Sequence, residues 1–300
     1  SSIAKRLKVP PIIIGLTIVA MGTSLPETAV SVTASLVNNN ELAVSNVVGS
    51  NIFNLMVVVG VCSILTPILV QKETIKRDIP FSMICAFLLL GLGILAVGDK
   101  SGMTLGHLDG MILLGFFAGY IVAMIQSAMK ARAAGKNVEI EGIEELEEEI
   151  GILSWPKSIL FIVGGALAIA FGGDLTVDAA SRIAIDLGMS QTLVGLTIVS
   201  IGTSLPELVT SVVAARKNEV DMAVGNAVGS NIFNILMVLG IASAINPVAL
   251  IRENIIDIVI LIVFSLIVWI YAATKRKISR KEGISMVCLY LIYAGYIIWR

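Results

Sequence analysis

GLTIVAMGTSLPE at residues 15–27 returns as GLTIVSIGTSLPE at residues 195–207, and VVGSNIFNL at 47–55 returns as AVGSNIFNI at 227–235. Both pairs share one offset of 180 residues. The alignment runs without a gap through Pro67 and Pro247, with about half of its core positions identical. Chance does not produce two such matches in one register, so the chain carries an internal duplication.

The composition says where the two copies reside. The chain is 56% hydrophobic and 14% charged, with a mean hydropathy of +0.93, against roughly 25% charge in an average soluble domain. Charge-free runs at 9–26, 42–71, 79–98, 110–129, 187–206, 222–251, 258–274 and 283–299 mostly reach the roughly 17–25 residues that a helix needs to cross a bilayer. Helices are predicted near 9–37, 42–68, 79–98, 108–130, 156–180, 190–215, 221–248, 255–273 and 283–299. The net charge of −1 gives no footprint for nucleic acid. Cys62, Cys85 and Cys288 lack the paired spacing of a zinc or redox motif and read as packing residues.

The offset also shows an apolar segment before the second copy, from about Trp155 to Ala180, whose equivalent would precede Ser1. An additional first helix is therefore expected, giving five helices per copy; a natural nine-helix form is the alternative. An odd number per copy turns the second copy upside down in the membrane, the inverted topology of many secondary transporters. Basic residues test the orientation. With residues 1–8 placed inside, only Lys100, Arg182, Arg252 and Arg300 of the 21 basic residues fall outside, as the positive-inside rule requires. The fold expected is an all-α integral membrane protein of two inverted five-helix repeats, at 1–130 and 156–300, joined by an acidic cytoplasmic linker at 131–155. That linker, VEIEGIEELEEEIG at its core, reads as a solvated connection, with a Ca2+ sensor as the sharper alternative.

Glu27 and Glu207 lie inside predicted spans at equivalent positions. A carboxylate there costs roughly 2.5–3.5 kcal/mol on insertion scales, which makes each a functional candidate. Each follows Gly-Thr-Ser-Leu-Pro. Pro26 and Pro206 remove a backbone donor and Gly22 and Gly202 add freedom, so a broken helix with free carbonyls is expected. Thr23 and Glu27 share a helix face, as do Ser50 and Asn54, Thr203 and Glu207, and Ser230 and Asn234. With Ser24 and Ser204, these are hard oxygen donors, suited to Ca2+, which takes about six to eight oxygens. Thiolates and imidazoles, which suit softer metals, are missing from both motifs. Ser31, Thr210 and Ser211 read as packing hydroxyls, and Gly49, Gly60, Gly229 and Gly240 as close-packing positions.

At these residues the chain resembles the cation/Ca2+ antiporter superfamily, most closely its prokaryotic sodium/calcium exchanger branch, whose repeats carry GTSLPE and GSN-x-x-N. The resemblance implies ten helices, a central Ca2+ site, flanking Na+ sites, and alternating access by a gating helix pair that slides against the other eight. It implies Ca2+ ligands at Glu27, Glu207 and the carbonyls of Thr23 and Thr203. For Na+ it adds Ser50, Ser230 and the carbonyls of Ala20 and Ser200. Some relatives carry Asp where this chain has Asn234; with Asn54 also neutral, the site holds at most two negative charges, which lowers the case for K+ dependence. Ca2+ and Na+ are thus the expected substrates, with no cofactor, no enzymatic activity, the lipid bilayer as solvent, the plasma membrane as location and a monomer as the transport unit. Proton coupling remains the alternative, since two carboxylates can exchange two protons for one Ca2+. A passive channel would need a continuous polar path, and no P-loop, HExxH or nucleophile–base set is present.

Overall fold

In the computed structural model the described residues are 15–95, 103–133 and 188–300, with 154, 156–161, 163–165, 167–168, 171, 182 and 186 between them. The expected helix at 156–180 is described in part, and is helical at 156–161 and 163–165; most of the linker lies outside the described residues, as do Asp174 and Asp178, expected at a helix end. Each copy opens with a broken helix, α1a (15–23) and α1b (Leu25–Leu36) in the first, α5a (191–203) and α5b (Leu205–Arg216) in the second. Each continues through α2 (40–65) or α6 (Val220–Ile245), then α3 (Thr74–Leu95) and α4 (His107–Ala133), or α7 (Arg252–Lys275) and α8 (Arg280–Trp299).

The most buried spans are α2 and α6, each 83% buried, whereas α4 and α8 are 28% buried. The bundle buries an apolar core that includes Leu16, Ile52 and Phe233, and with it a large set of polar groups. Glu27, Asn46, Ser50, Asn51, Asn54 and their counterparts are buried, while Phe87, Leu95, Phe116 and Leu291 are exposed. Lipid solvates those apolar surfaces, and hydrogen bonds between helices supply cohesion that the hydrophobic effect cannot give within a bilayer. Close approach of the copies depends on small residues. A Cβ at Gly229 would lie 2.8 Å from Leu16 Cα and 2.9 Å from Ala20 Cβ. Gly49 presses on Ser200, Gly60 on Val287 and Gly240 on Leu114, so all four glycines serve packing, as expected.

Three features differ from the sequence reading. First, the all-α bundle carries four two-residue strands in its loops, β1 (Ile68–Leu69), β2 (Thr104–Leu105), β3 (Val248–Ala249) and β4 (Lys277–Ile278), which pair antiparallel, β1 with β4 and β2 with β3. Each pair ties a loop of one copy to a loop of the other, and two-residue strands leave no periodicity to detect. Secondly, π-helical turns occur at Gly15–Val19, Asn54–Val58 and Thr74–Asp78, and again at Gly195–Val199 and Asn234–Val238. Such turns insert one residue into a helix and gather at functional sites. Thirdly, Cys288 is exposed on α8, unlike the buried Cys62 and Cys85, and α4 begins at His107, one residue before the predicted start, with Nδ1 2.9 Å from the Ala244 carbonyl oxygen.

Candidate functional site

The breaks in the two motif helices fall at the serines, not at the glycines. Ser24 (φ −84°, ψ 10°) and Ser204 (φ −88°, ψ 5°) leave the helical region, and Pro26 and Pro206 sit in the first turn of the helix that follows. Proline is well tolerated there because the N–H it lacks would have no carbonyl within that helix to donate to. Gly22 lies within helix and has open space where a Cβ would go, so the backbone freedom assigned to it is not what makes the break. The second motif helix bends by 40° at this point. The break places Glu27 and Glu207 in the first turn of α1b and α5b, both 0% exposed.

The two copies then hold each other's acids. Ser204 Oγ donates to Glu27 Oε1 at 3.0 Å, and Ser24 Oγ donates to Glu207 Oε1 at 3.1 Å. Ser230 Oγ adds a second bond to Glu207 Oε1 at 3.1 Å. The carboxylates are close enough for their charges to interact. Their other oxygens, Glu27 Oε2 and Glu207 Oε2, receive no hydrogen bond from the protein, and neither do Asn54 Oδ1 and Asn234 Oδ1.

The asparagine amides are oriented by a cross-repeat lattice. Asn54 Nδ2 donates to Asn231 Oδ1 at 3.3 Å, and Asn234 Nδ2 to Asn51 Oδ1 at 3.1 Å. Asn51 and Asn231 in turn donate to each other's backbone carbonyls at 3.2 and 3.1 Å. With both amide nitrogens committed, the two Oδ1 atoms are left as acceptors only.

The remaining candidates are already partly engaged. Thr23 Oγ1 reaches Asn226 Oδ1 and Thr203 Oγ1 reaches Asn46 Oδ1, at 3.3 and 3.2 Å. Ser50 Oγ lies 3.3 Å from Thr203 Oγ1 and donates to the Ser200 carbonyl at 3.4 Å. The Ala20 carbonyl accepts from Ser24 N and Thr23 Oγ1, so an ion there would displace one of these bonds. Ser31 and Ser211 accept from Asn46 and Asn226, each at 3.0 Å, the packing role expected of them. Asn46, Asn51, Asn226 and Asn231 were not singled out from the sequence. A signal was present: 46, 50 and 54 are spaced by four on one helix face, and 51 lies three before 54. Among the described residues no cluster of three or more His, Cys, Asp or Glu could hold a metal. The charged part of the site is the glutamate pair alone.

Two membrane-crossing halves, inverted and joined through paired acids at their contact, define a secondary transporter. The chain belongs to the sodium/calcium exchanger protein family, whose sequence pattern matches residues 1–126 and 157–299. It is 32% identical over 98% of its length to the sodium/calcium exchanger MaX1 of Methanosarcina acetivorans, covering 90% of that protein. It is 32% identical over its whole length to the inner membrane protein YrbG of Escherichia coli, covering 88% of it. A solved structure of the sodium-calcium exchanger NCX_Mj, soaked with 2.5 mM Na+ and 1 mM Sr2+, superposes with a TM-score of 0.78 at 29% identity, over 98% of this chain and 89% of that one. The exchanger fold and cation/Ca2+ antiport follow for this chain.

Proposed function

We propose that the chain exchanges Ca2+ for Na+ by alternating access, with the cations held between Glu27 and Glu207. One observation carries this reading. Four fully buried oxygens, two carboxylate and two amide, are acceptors without a donor from the protein. An unpaired buried acceptor costs about 1–3 kcal/mol, more when charged. A cation removes that cost for all four, whereas one added donor removes it for one.

Ca2+ suits the donor set because every group is a hard oxygen. The carbonyls of Thr23, Thr203, Ala20 and Ser200 and the hydroxyls of Ser50 and Ser230 complete the candidate ligands, with Ser24 and Ser204 orienting the acids. Two carboxylates balance one Ca2+. Three Na+ would leave one positive charge in excess, so three-for-one exchange would be electrogenic. Na+ coupling is favoured over proton coupling by the neutral oxygens that surround the acids, which add ligands for a metal ion and nothing for a proton. The two strand pairs support a rigid frame for the helices they join, leaving any sliding to helices outside it.

The transport unit is a monomer in the plasma membrane, with the halves at 1–130 and 156–300 and the 131–155 linker in the cytoplasm. The test is 45Ca uptake into proteoliposomes, first with an imposed Na+ gradient and then with a pH gradient alone. Uptake is expected in the first case; uptake confined to the second would establish proton coupling instead.

A further inference from the structure

The duplication shows a second place where the copies differ. In the second copy, the cleft between α7 and α8 is closed by charge. Arg300 makes two bonds to Asp257, at 2.9 and 2.7 Å, and Tyr293 donates to the same carboxylate at 3.2 Å. In the first copy, the π-turn at Thr74–Asp78 adds one residue to α3 that the uninterrupted helix of α7 lacks. The offset accordingly changes from 180 residues, pairing Thr74 with Asn254, to 179, pairing Asp78 with Asp257. One offset of 173 pairs Gly110 with Gly283, Tyr120 with Tyr293, and Ser127 with Arg300. The arginine that closes the second cleft is thus a serine in the first.

The first cleft is open. A cavity of about 560 Å³ lies between α3 and α4, with Arg77 and Asp78 at one end and Phe81, Phe116, Gly119 and Tyr120 along it. That volume falls within the roughly 300–1,000 Å³ of small-molecule sites. Gly115 and Gly119 leave open space along α4, and Phe116 is half exposed beside them. At the polar end, Arg77 Nε donates to Asp78 Oδ1 at 2.7 Å and Nη1 to Ser127 Oγ at 3.2 Å. The Arg77 side chain is 44% exposed and the Asp78 side chain 2%. Asp78 Oδ2 has no donor from the protein. The Thr74 side chain lies beside that carboxylate, and neither Thr74 Oγ1 nor Asp78 Oδ2 has a hydrogen-bond partner within the protein.

The groove therefore presents a partly exposed cation, a buried anion lacking a donor, and an apolar trough running into the membrane. We propose that it binds phosphatidylethanolamine, with the phosphate on Arg77, the ammonium on Asp78 and an acyl chain along the glycine face of α4. Guanidinium and phosphate form charge-assisted bonds, and an arginine beside a carboxylate matches the adjacent phosphate and ammonium of a zwitterionic head group. Phosphatidylcholine carries the same phosphate, but its quaternary nitrogen has no N–H for Asp78. Phosphatidylglycerol has no cation at all.

Native mass spectrometry of the detergent-purified protein, with the three lipids added at equal concentration and matched acyl chains, tests the assignment independently of transport. Losing one hydrogen bond to a charged group corresponds to about tenfold weaker binding, so phosphatidylethanolamine should be retained about tenfold over phosphatidylcholine. Asp78→Asn should remove that preference. Ser127→Arg copies the closure of the second copy and should lower retention of phosphatidylethanolamine while the protein stays monodisperse. Equal retention of the three lipids, a preference for phosphatidylglycerol, or unchanged retention in Ser127→Arg would each overturn the proposal.

Discussion

Replacing Ser204 with alanine probes the cross-repeat serine–glutamate bonds, and the structure makes the two halves unequal in this respect. Among the described residues Glu27 Oε1 receives one side-chain hydrogen bond, from Ser204 at 3.0 Å. Glu207 Oε1 receives two, from Ser24 and Ser230. A hydrogen bond to a charged group contributes about 1.5–3 kcal/mol. Ser204→Ala removes the whole of that contribution at Glu27, so the ion-free protein should lose about 1.5–3 kcal/mol of stability. Ser24→Ala leaves Ser230 in place at Glu207, so its loss should be smaller, about 0.5–1.5 kcal/mol. Thermal unfolding of the detergent-purified protein without Ca2+ measures both. Equal losses in the two variants, or a larger loss in Ser24→Ala, would refute the reasoning from unequal donors.

Glu27→Gln and Glu207→Gln should each abolish 45Ca flux while the gel-filtration profile stays monodisperse, because the amide keeps the shape and loses the charge. Gly229→Ala should destabilise by about 1–3 kcal/mol, the usual cost of overpacking, since its Cβ would meet Leu16 Cα and Ala20 Cβ. Gly115→Ala, with open space around it, should leave the thermal midpoint within error of the parent. A cysteine pair replacing Leu69 and Lys277, which are register partners in β1 and β4, should cross-link under oxidation with transport retained; abolished transport would mean that these loops separate during the cycle.

Much of the architecture was legible because two signals act over short distances. Charge-free runs such as 42–71 report the thickness of a bilayer, and most predicted ends fell close to the observed ones, with α3 starting five residues earlier at Thr74 and α2 and α6 ending three earlier, before β1 and β3. The acids were legible for a similar reason, since a carboxylate within an apolar run is anomalous wherever the chain goes. The break expected from the proline motif falls at Ser24 and Ser204, two residues before Pro26 and Pro206; Gly22 and Gly202 stay helical, because glycine permits a break without requiring one. Ser24 yields because it immediately precedes the helix whose first turn holds Pro26, and the bend between the two segments is taken up there.

The sequence by itself determined the membrane setting, the duplication and the placing of one carboxylate per copy, all of which depend on composition and on residues near one another in the chain. Only the tertiary structure decided that Ser24 serves Glu207 and Ser204 serves Glu27, that Asn51 orients Asn234, and that Arg300 closes one cleft while its counterpart Ser127 leaves the other open. These partners come from distant segments, most of them from opposite copies. Helical periodicity fixes which face a side chain occupies, but which residue it meets depends on how two inverted bundles interlock, down to the glycines that allow their backbones to touch.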